Sequence, residues 1–279
     1  MGRETTDRQD RGRANPRKVS GRVALFGGVY NNYLALAALL EDAPVRAGEI
    51  FCLGDVGAFG PHPDRSVEIL RESGIPIVQG NYDRSVGLRR GDCTCGYTDP
   101  RDNHFAALSY AYTFRKTSER NKDFLAALPG EIRLLGPGGE RILLCHGSPR
   151  RQNEFLWESL SPDPFLARLL DEARCDVLAV THTGIPWKRR LPGGRLVVNV
   201  GAIGRPANDG RTDVWYAVLD LSGEKPDAAF LPLAYDHGRL AAEMRAEGIV
   251  EPFVETVETG WWTTCLEILP SKERASGQY

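Results

Sequence analysis

The sequence predicts an α/β domain in which two mixed β-sheets pack on each other and are flanked by helices. In the first half of the chain, short apolar runs alternate with stretches of helical periodicity, which is typical of strands covered on both faces. The second half is richer in strands, and a second sheet packed on the first would bury them. With 279 residues, the chain is long enough to bury a substantial core in one large domain.

The predicted domain spans residues 21–235, between an N-terminal arm and a C-terminal extension. Residues 1–20 are polar, rich in arginine and without a hydrophobic period, so we expect a disordered arm. An arm that binds nucleic acid is the alternative, but the interspersed acidic residues favour a solvated tail. Residues 236–279 predict a helix at about 239–246 followed by an irregular extension that contains Trp261 and Trp262.

In the first half, strands and helices follow one another along the chain. A strand at 22–26 turns through glycines into a helix with helical spacing of Leu34, Leu36, Leu39 and Leu40. The next predicted elements are a strand at 49–53, a helix at 63–73, a strand at 75–78, and one or two helices between 102 and 128. In the second half, strands are predicted at 131–135, 141–145, 177–180, 195–200, 214–219 and 228–233, with a helix at about 164–174.

The charge balance excludes a strongly basic or acidic protein, because 35 Lys and Arg face 37 Asp and Glu. A formal net charge of -2 creates no global field for nucleic acid or a membrane surface, and we expect neither as a partner. No apolar run approaches the roughly 20 residues of a membrane span, and the first residues lack the apolar core of a signal peptide. A soluble, cytoplasmic protein is therefore expected.

The six cysteines fall into two groups. Four lie in apolar, strand-like surroundings, where reduced thiols are expected: Cys52, Cys145, Cys175 and Cys265. Cys93 and Cys95 lie in a polar loop, where they could supply thiolates to a softer metal or bind a thiophilic substrate. The Cys-x-Cys spacing by itself is a weak signal.

Four polar residues follow apolar runs and precede turn-forming residues, so that each side chain is expected at one edge of a sheet. They are Asp55, Asn81, His146 and His182. Open α/β sheets bind ligands at the carboxyl ends of their strands. Two imidazoles, a carboxylate and an amide oxygen suit one divalent transition metal, such as Mn, Fe, Co, Ni or Zn. The alternative is that each residue only caps a strand end.

Taken together, these segments resemble the motifs of the calcineurin-like metallophosphoesterase superfamily, in particular its branch of small bacterial and archaeal phosphodiesterases. The family motifs are D-x-H-G-N, G-D-x-x-G, G-N-H-D, H-G and G-H-T-H. Here the family order is kept by Gly54-Asp55-Val56-Gly57, Gly80-Asn81-Tyr82-Asp83, His146-Gly147-Ser148-Pro149 and Thr181-His182-Thr183-Gly184. The resemblance implies a four-layer αββα sandwich and a metal-dependent phosphoesterase.

The departures from the family's metal ligands all fall on one of its two metals. The resemblance places Gly28, Tyr30 and Gly184 at positions where the family has an Asp and two His residues. The ligands of the other metal are all present in this sequence, which implies a remodelled site with one metal. The His of the family's G-N-H-D motif, which assists the transition state or leaving group, is here Tyr82, and Asp83 is expected to orient a ligand or cap a helix.

Residues around the altered position are candidates for the reaction. Tyr30 and Tyr82 are expected to line the site and orient substrate, although Tyr30 could instead simply fill the vacated space. Asn31, Arg150 and Arg205 are the candidates for binding an anionic substrate, because an amide and two guanidinium groups near a metal suit phosphate or carboxylate.

The sequence therefore predicts a metal-dependent, phosphoesterase-like hydrolase of a small phosphorylated or otherwise anionic molecule. The alternative is a non-catalytic sensor or binding protein that holds a nucleotide or an anionic metabolite in the same cleft. The sequence does not indicate the oligomeric state.

Overall fold

The computed structural model of the protein describes residues 15–275, and its strands form two sheets. The strands are β1 (Arg17–Lys18), β2 (Arg22–Phe26), β3 (Glu49–Cys52), β4 (Glu131–Leu135), β5 (Arg141–Cys145), β6 (Val177–Val180), β7 (Trp187–Arg190), β8 (Leu196–Asn199), β9 (Val214–Asp220) and β10 (Asp227–Leu233). One sheet has the order β1-β4-β5-β6-β8-β7 and the other β10-β9-β2-β3, and both contain parallel and antiparallel pairs.

Helices cover the outer face of each sheet. They are α1 (Tyr33–Arg46), α2 (Pro63–Ser73), α3 (Asn81–Gly87), α4 (Pro100–Lys116), α5 (Glu119–Ala127), α6 (Asp163–Ala173), α7 (His237–Ala246), α8 (Glu251–Thr259) and α9 (Ser271–Ala275). Helices α1 and α2 pack on the four-stranded sheet, and α6 packs on the six-stranded sheet. Among the described residues, no helix combines the length and apolarity needed to cross a bilayer.

The core follows from the alternation of side chains along each strand. In β2, Val23 and Leu25 point between the two sheets, whereas Ala24 and Phe26 point towards the helices. Leu144 in β5 joins the same inter-sheet cluster from the opposite side. The predicted αββα sandwich of two mixed sheets is therefore confirmed.

Some predicted elements differ in the structure. Residues 75–78 form only an isolated parallel bridge between Ile77 and Cys52, and Pro76 has no amide hydrogen with which to extend it into a longer ladder. Strand β7 was not predicted, since its Lys-Arg-Arg run is polar. Helix α8 was not predicted, because its β-branched residues have a low helix propensity.

The segments on either side of the predicted domain also contain structure that was not predicted. Most of the predicted disordered arm, residues 1–14, lies outside the described residues. Arg17 and Lys18 belong to β1, and the Val19 amide donates to the Leu135 carbonyl, so the sheet begins inside the range predicted as the arm. The C-terminal extension contains α8 and α9 in addition to the predicted helix, which is α7.

Candidate metal centre

The ends of strands from both sheets bring three predicted ligands together. Asp55 lies just beyond β3 of the four-stranded sheet, while His146 and His182 follow β5 and β6 of the six-stranded sheet. One ligand atom from each of these residues lies within 4.8 Å of the others. Asn81 opens α3 beside them, and the amide of Tyr82 donates to Asp55 Oδ1 at 2.9 Å. The strand ends of two sheets, and not one edge of a single sheet as predicted, therefore bring Asp55, His146 and His182 together, with Asn81 beside them.

Both histidines have one ring nitrogen fixed by a backbone carbonyl. His146 Nδ1 lies 2.8 Å from the Leu53 oxygen, and His182 Nε2 lies 3.2 Å from the Cys95 oxygen. Because a carbonyl only accepts, these nitrogens carry the protons. The remaining nitrogens, His146 Nε2 and His182 Nδ1, lie 3.1 Å apart, and His146 Nε2 is 3.2 Å from Asp55 Oδ2. Two nitrogen lone pairs and a carboxylate oxygen thus face one point, which requires a proton or a cation.

Asn81, which opens α3 beside the cluster, has an unpaired side-chain acceptor. Its side chain is almost fully buried, and Nδ2 donates to the Cys93 carbonyl at 3.0 Å, whereas Oδ1 has no hydrogen-bond partner among the described residues. A buried acceptor without a partner is costly unless a bound group satisfies it. One carboxylate oxygen, one amide oxygen and two imidazole nitrogens form a donor set that fits a divalent transition metal.

Burial and neighbouring charges shift the pKa values of the cluster residues. Burial disfavours the charged form of Asp55, but the neighbouring His146 outweighs it and lowers the pKa of the carboxyl group. Burial likewise opposes a charge on His146, yet Asp55 raises the pKa of that ring. Burial and the proximity of His146 lower the pKa of His182 to about 3, so His182 is neutral at physiological pH and its Nδ1 lone pair is available.

Asp83 holds the loop that carries Asp55. Its Oδ2 accepts the amides of Asp55 and Gly80, each at 2.8 Å, and its Oδ1 accepts the amide of Val56 at 2.9 Å. Burial, together with the charge of Asp55, raises the pKa of Asp83 to about 6. Both carboxylate oxygens are used by the backbone, so Asp83 supports a ligand and does not itself point to the cluster.

Two candidate ligands have a backbone conformation that non-glycine residues rarely adopt. The φ angle is 55° at Asp55 and 25° at His182. Such conformations cost about 1–3 kcal/mol each and are concentrated at functional sites. Neither the composition nor the hydrophobic pattern could have indicated this feature, because Asp and His are ordinary turn residues in the sequence.

Gly80 allows the close approach of α3 to the Asp55 loop, and this leads to a first prediction. In Gly80→Ala, the new β-carbon would lie 2.2 Å from Asp55 Oδ1 and 2.4 Å from the Asp55 amide nitrogen, so the loop must shift. We expect metal affinity to fall by about tenfold or more, measured by titration with Mn²⁺. Gly130→Ala is the control, since its β-carbon would meet nothing within 4 Å. Equal affinities of the two variants would contradict this prediction.

According to the family resemblance, this chain lacks the ligands of one metal. Packed side chains lie at the positions of these missing ligands. A β-carbon at Gly28 would lie 2.8 Å from Tyr30 Cζ, and one at Gly184 would lie 3.6 Å from Trp262 Cζ2. The Tyr30 ring packs edge-on against Phe59, and burial raises the pKa of its phenol. These contacts favour the interpretation that Tyr30 fills the vacated space. Trp262, from the C-terminal extension, is a contributor that the sequence did not indicate.

Tyr82 and Asn31 use their donors in contacts within the protein. The Tyr82 hydroxyl donates to Ser109 Oγ at 2.8 Å. Asn31 Nδ2 donates to the Gly60 carbonyl at 3.0 Å and to Thr113 Oγ1 at 3.2 Å. In this arrangement both side chains brace α4 against the site, and neither offers a donor to a substrate.

The two predicted anion-binding arginines are likewise anchored by protein groups. Arg150 pairs with Glu154. Arg205 is buried, donates to the Thr264 carbonyl at 2.7 Å and stacks on Trp262 with its guanidinium 3.9 Å from the ring centre. Arg205 therefore fixes the C-terminal extension over the altered side of the site.

A basic groove beside His146 was not predicted. It has a volume of about 1080 Å³, and His146 is one of its lining residues. Its cationic lining consists of Arg17, Arg84, Arg133, Arg150 and Arg151. Among the described residues, the side chains of Arg84 and Arg151 form no salt bridge or hydrogen bond, which leaves two guanidinium groups available to an anion.

The loop at 91–97 covers the cluster. Cys93 and Cys95 are joined by a disulfide, so neither sulfur is a thiolate ligand in this structure. The other four cysteines are free and buried, as predicted. The loop is held by Asn153 Nδ2, which donates to the Thr94 carbonyl at 2.9 Å, and by the packing of Tyr97 on Phe155.

A two-sheet α/β sandwich with a carboxylate, an amide and two imidazoles at its strand ends defines a metal-site protein of the phosphoesterase type. Residues 22–224 match the family model of the calcineurin-like phosphoesterase superfamily domain, and the chain belongs to that superfamily. The predicted family is thereby confirmed. The family is metal-dependent, and its hydrolase chemistry agrees with the cluster at Asp55, His146 and His182.

Relatives include an uncharacterised protein from Methanocaldococcus jannaschii, which is 27% identical over 217 residues covering 72% of this chain and 84% of the relative. A metallophosphoesterase from Sphaerobacter thermophilus has the same fold, with a TM-score of 0.66 and 24% identity over 87% of this chain and 100% of the other. A hypothetical protein from Pyrococcus horikoshii superposes with a TM-score of 0.73 and 18% identity over 88% and 100% of the two chains.

Proposed function

We propose that the protein is a metal-dependent phosphoesterase-type hydrolase of a small phosphorylated or otherwise anionic substrate, with one divalent transition metal. One observation carries the proposal: the buried Asp55 carboxylate lies 3.2 Å from His146 Nε2, which is 3.1 Å from His182 Nδ1, and the neighbouring Asn81 has a buried, unpaired Oδ1. Without a cation, one amide oxygen remains unsatisfied in the interior, which is unfavourable.

Asp55, Asn81, His146 and His182 would hold the ion. A bound divalent cation supplies Lewis-acid polarisation of a phosphoryl oxygen. The chain itself orients the ligands, because the Leu53 carbonyl fixes the tautomer of His146 and Asp83 holds the Asp55 loop. We assign Asp83 and the backbone amide of Tyr82 positioning roles that act through Asp55.

A single metal is proposed because the neighbouring space is packed. A β-carbon at Gly28 would lie 2.8 Å from the Tyr30 ring, so that position has no room for a ligand side chain without rearrangement, and Trp262 lies in contact distance of the Gly184 position. Within residues 15–275, Asp55, His146 and His182 form the one cluster of three His, Cys, Asp or Glu ligands. The metal requirement would then differ from that of a two-metal phosphoesterase.

The basic groove is the proposed binding surface for the rest of the substrate, and it gives a second prediction. Arg84→Ala combined with Arg151→Ala should raise KM about tenfold for substrates with several phosphates, since one hydrogen bond to a charged group is worth about 1.5–3 kcal/mol. The value of kcat should change little. Arg120→Ala, on α5 and outside the groove lining, is the control. Unchanged KM in the double variant would exclude the groove from substrate binding.

The function is tested by removing metals from the full chain, restoring Mn, Fe, Co, Ni or Zn singly, and assaying phosphomonoesters, phosphodiesters and dinucleotides. We expect one ion per chain and activity that depends on it. The alternative of a non-catalytic sensor is favoured by the burial of the cluster beneath the 91–97 loop. It would be supported if the protein and an Asp55→Ala variant were equally inactive while a nucleotide still bound the unaltered protein.

A further inference from the structure

The short turn closed by the Cys93–Cys95 disulfide contacts two of the four candidate ligands. The Cys93 carbonyl accepts from Asn81 Nδ2 at 3.0 Å, and the Cys95 carbonyl accepts from His182 Nε2 at 3.2 Å. The sulfur of Cys95 also lies 3.6 Å from Asn81 Nδ2. One three-residue turn therefore orients both an amide and an imidazole.

These contacts decide which atoms face the metal position. With Nδ2 held by the Cys93 carbonyl, Oδ1 is the atom of the Asn81 amide that remains available to the cluster. With Nε2 protonated and bonded to the Cys95 carbonyl, His182 must present the lone pair of Nδ1. Partners of this kind set the tautomer and orientation of metal ligands, and their loss typically costs about 10–100-fold in metal affinity.

The disulfide constrains the positions of both carbonyls. It links residues on either side of Thr94, whose φ angle of 49° is in the left-handed region that a threonine rarely adopts. Ser85 and Asn153 hold the middle of this turn through the Thr94 hydroxyl and carbonyl. Among the described residues, hydrogen bonds to the Cys93 and Cys95 carbonyls come from the two candidate ligands, and the covalent link adds to the Thr94 contacts, which include its amide donating to Asp92 Oδ1, in restraining both carbonyls.

We propose that the Cys93–Cys95 disulfide is a positioning element that makes the metal affinity of the site depend on thiol redox state. This inference rests on the proposed metal site. A dithiol reductant donates two electrons and two protons, so the sulfur–sulfur bond is replaced by two thiols while the reductant becomes a disulfide. The opened turn then loses its fixed geometry, and Asn81 and His182 lose their oriented partners.

The test uses the full chain with Co²⁺ as the probe. Oxidised protein is compared with protein reduced by a phosphine, which becomes a phosphine oxide with oxygen from water; the phosphine is removed anaerobically before titration. We expect the oxidised form to bind Co²⁺ at least about tenfold more tightly, followed by the visible absorption of the ion and by chelator competition. Far-ultraviolet circular dichroism should be the same for both forms.

Variants identify the sulfur atoms responsible. Cys93→Ser with Cys95→Ser should bind Co²⁺ with the affinity of the reduced form under both conditions. Cys175→Ala should keep the full response to reduction, because Cys175 is buried against α6 and away from the site.

Two results would overturn the inference while leaving the metal site intact. One is equal Co²⁺ affinity of the oxidised and reduced forms. The other is tighter binding on reduction together with a sulfur-to-cobalt charge-transfer band, which would make a cysteine thiolate a ligand instead. If neither form binds Co²⁺, the proposed metal site fails, and the positioning role fails with it.

Discussion

The Asp55→Asn protein is expected to fold normally and to bind no metal. The new carboxamide can still accept the Tyr82 amide through Oδ1, but its NH₂ group then lies where Asp55 Oδ2 faced His146 Nε2. That group donates to the histidine lone pair and removes the negative charge that attracts the cation. Since loss of an outer partner alone costs about 10–100-fold in affinity, loss of this ligand should lower metal-dependent activity by more than about 100-fold.

The control for Asp55→Asn is Asp102→Asn, the same change at a buried aspartate of α4 outside the ligand cluster. Asp102 Oδ2 accepts the Ile268 amide at 2.9 Å, and the asparagine oxygen can keep this bond. Metal content, measured by elemental mass spectrometry, should be retained in Asp102→Asn and absent from Asp55→Asn. An Asp55→Asn protein with one metal and normal activity would exclude Asp55 as a ligand.

The ligand cluster was largely predictable from the sequence because strand ends have a clear local signature. Asp55, His146 and His182 each follow an apolar run and precede a turn. The parallel strands β5 and β6 bring the two histidines to one edge, whereas Asp55 comes from the other sheet. Their tautomers and the role of Asp83 were not predictable, because these depend on contacts with backbone carbonyls and amides. Hydrophobic periodicity contains no information about such contacts.

The filling of the altered side could be predicted only in part. The sequence indicates that Gly28 and Gly184 lack ligand side chains, and Tyr30 was recognised as a possible filler. The partner from the opposite side, Trp262, lies in a segment predicted as irregular, and Arg205 was assigned to substrate because a lone arginine after a turn gives no sign of burial. Long-range packing of the C-terminal extension onto the site cannot be predicted from the hydrophobic periodicity of either segment.

The Cys93–Cys95 pair shows the same limit at shorter range. Its polar surroundings indicated chemistry. Thiolate ligation was one interpretation, yet the structure brings the backbone carbonyls, and not free thiols, to Asn81 and His182. A residue type indicates what its side chain can do, whereas the carbonyl of any residue can orient a ligand.

Asp83→Ala is expected to have the largest effect on stability. The change leaves the buried amides of Asp55, Val56 and Gly80 without their acceptor, and each buried donor left unsatisfied costs about 1–3 kcal/mol. We expect the free energy of unfolding to fall by about 3 kcal/mol or more, a large part of the stability of an ordinary domain. Urea unfolding of metal-free protein at a pH above about 6, the pKa of Asp83, measures this with the carboxylate ionised.

Asp64→Ala provides a matched control, because Asp64 Oδ1 also accepts three hydrogen bonds, from the Ser118 amide, the Ser118 hydroxyl and Asn121 Nδ2. Ser118 is exposed and Asp64 is half-buried, so water can replace the acceptor of the two Ser118 donors and only the buried Asn121 amide loses a partner, and a loss of about 1 kcal/mol is expected. Equal losses in the two variants would mean that the Asp83 amides find other partners. If burial is what makes Asp83 important, then only Asp83→Ala should also weaken Co²⁺ binding, since Asp83 alone of these two residues holds the loop that carries Asp55.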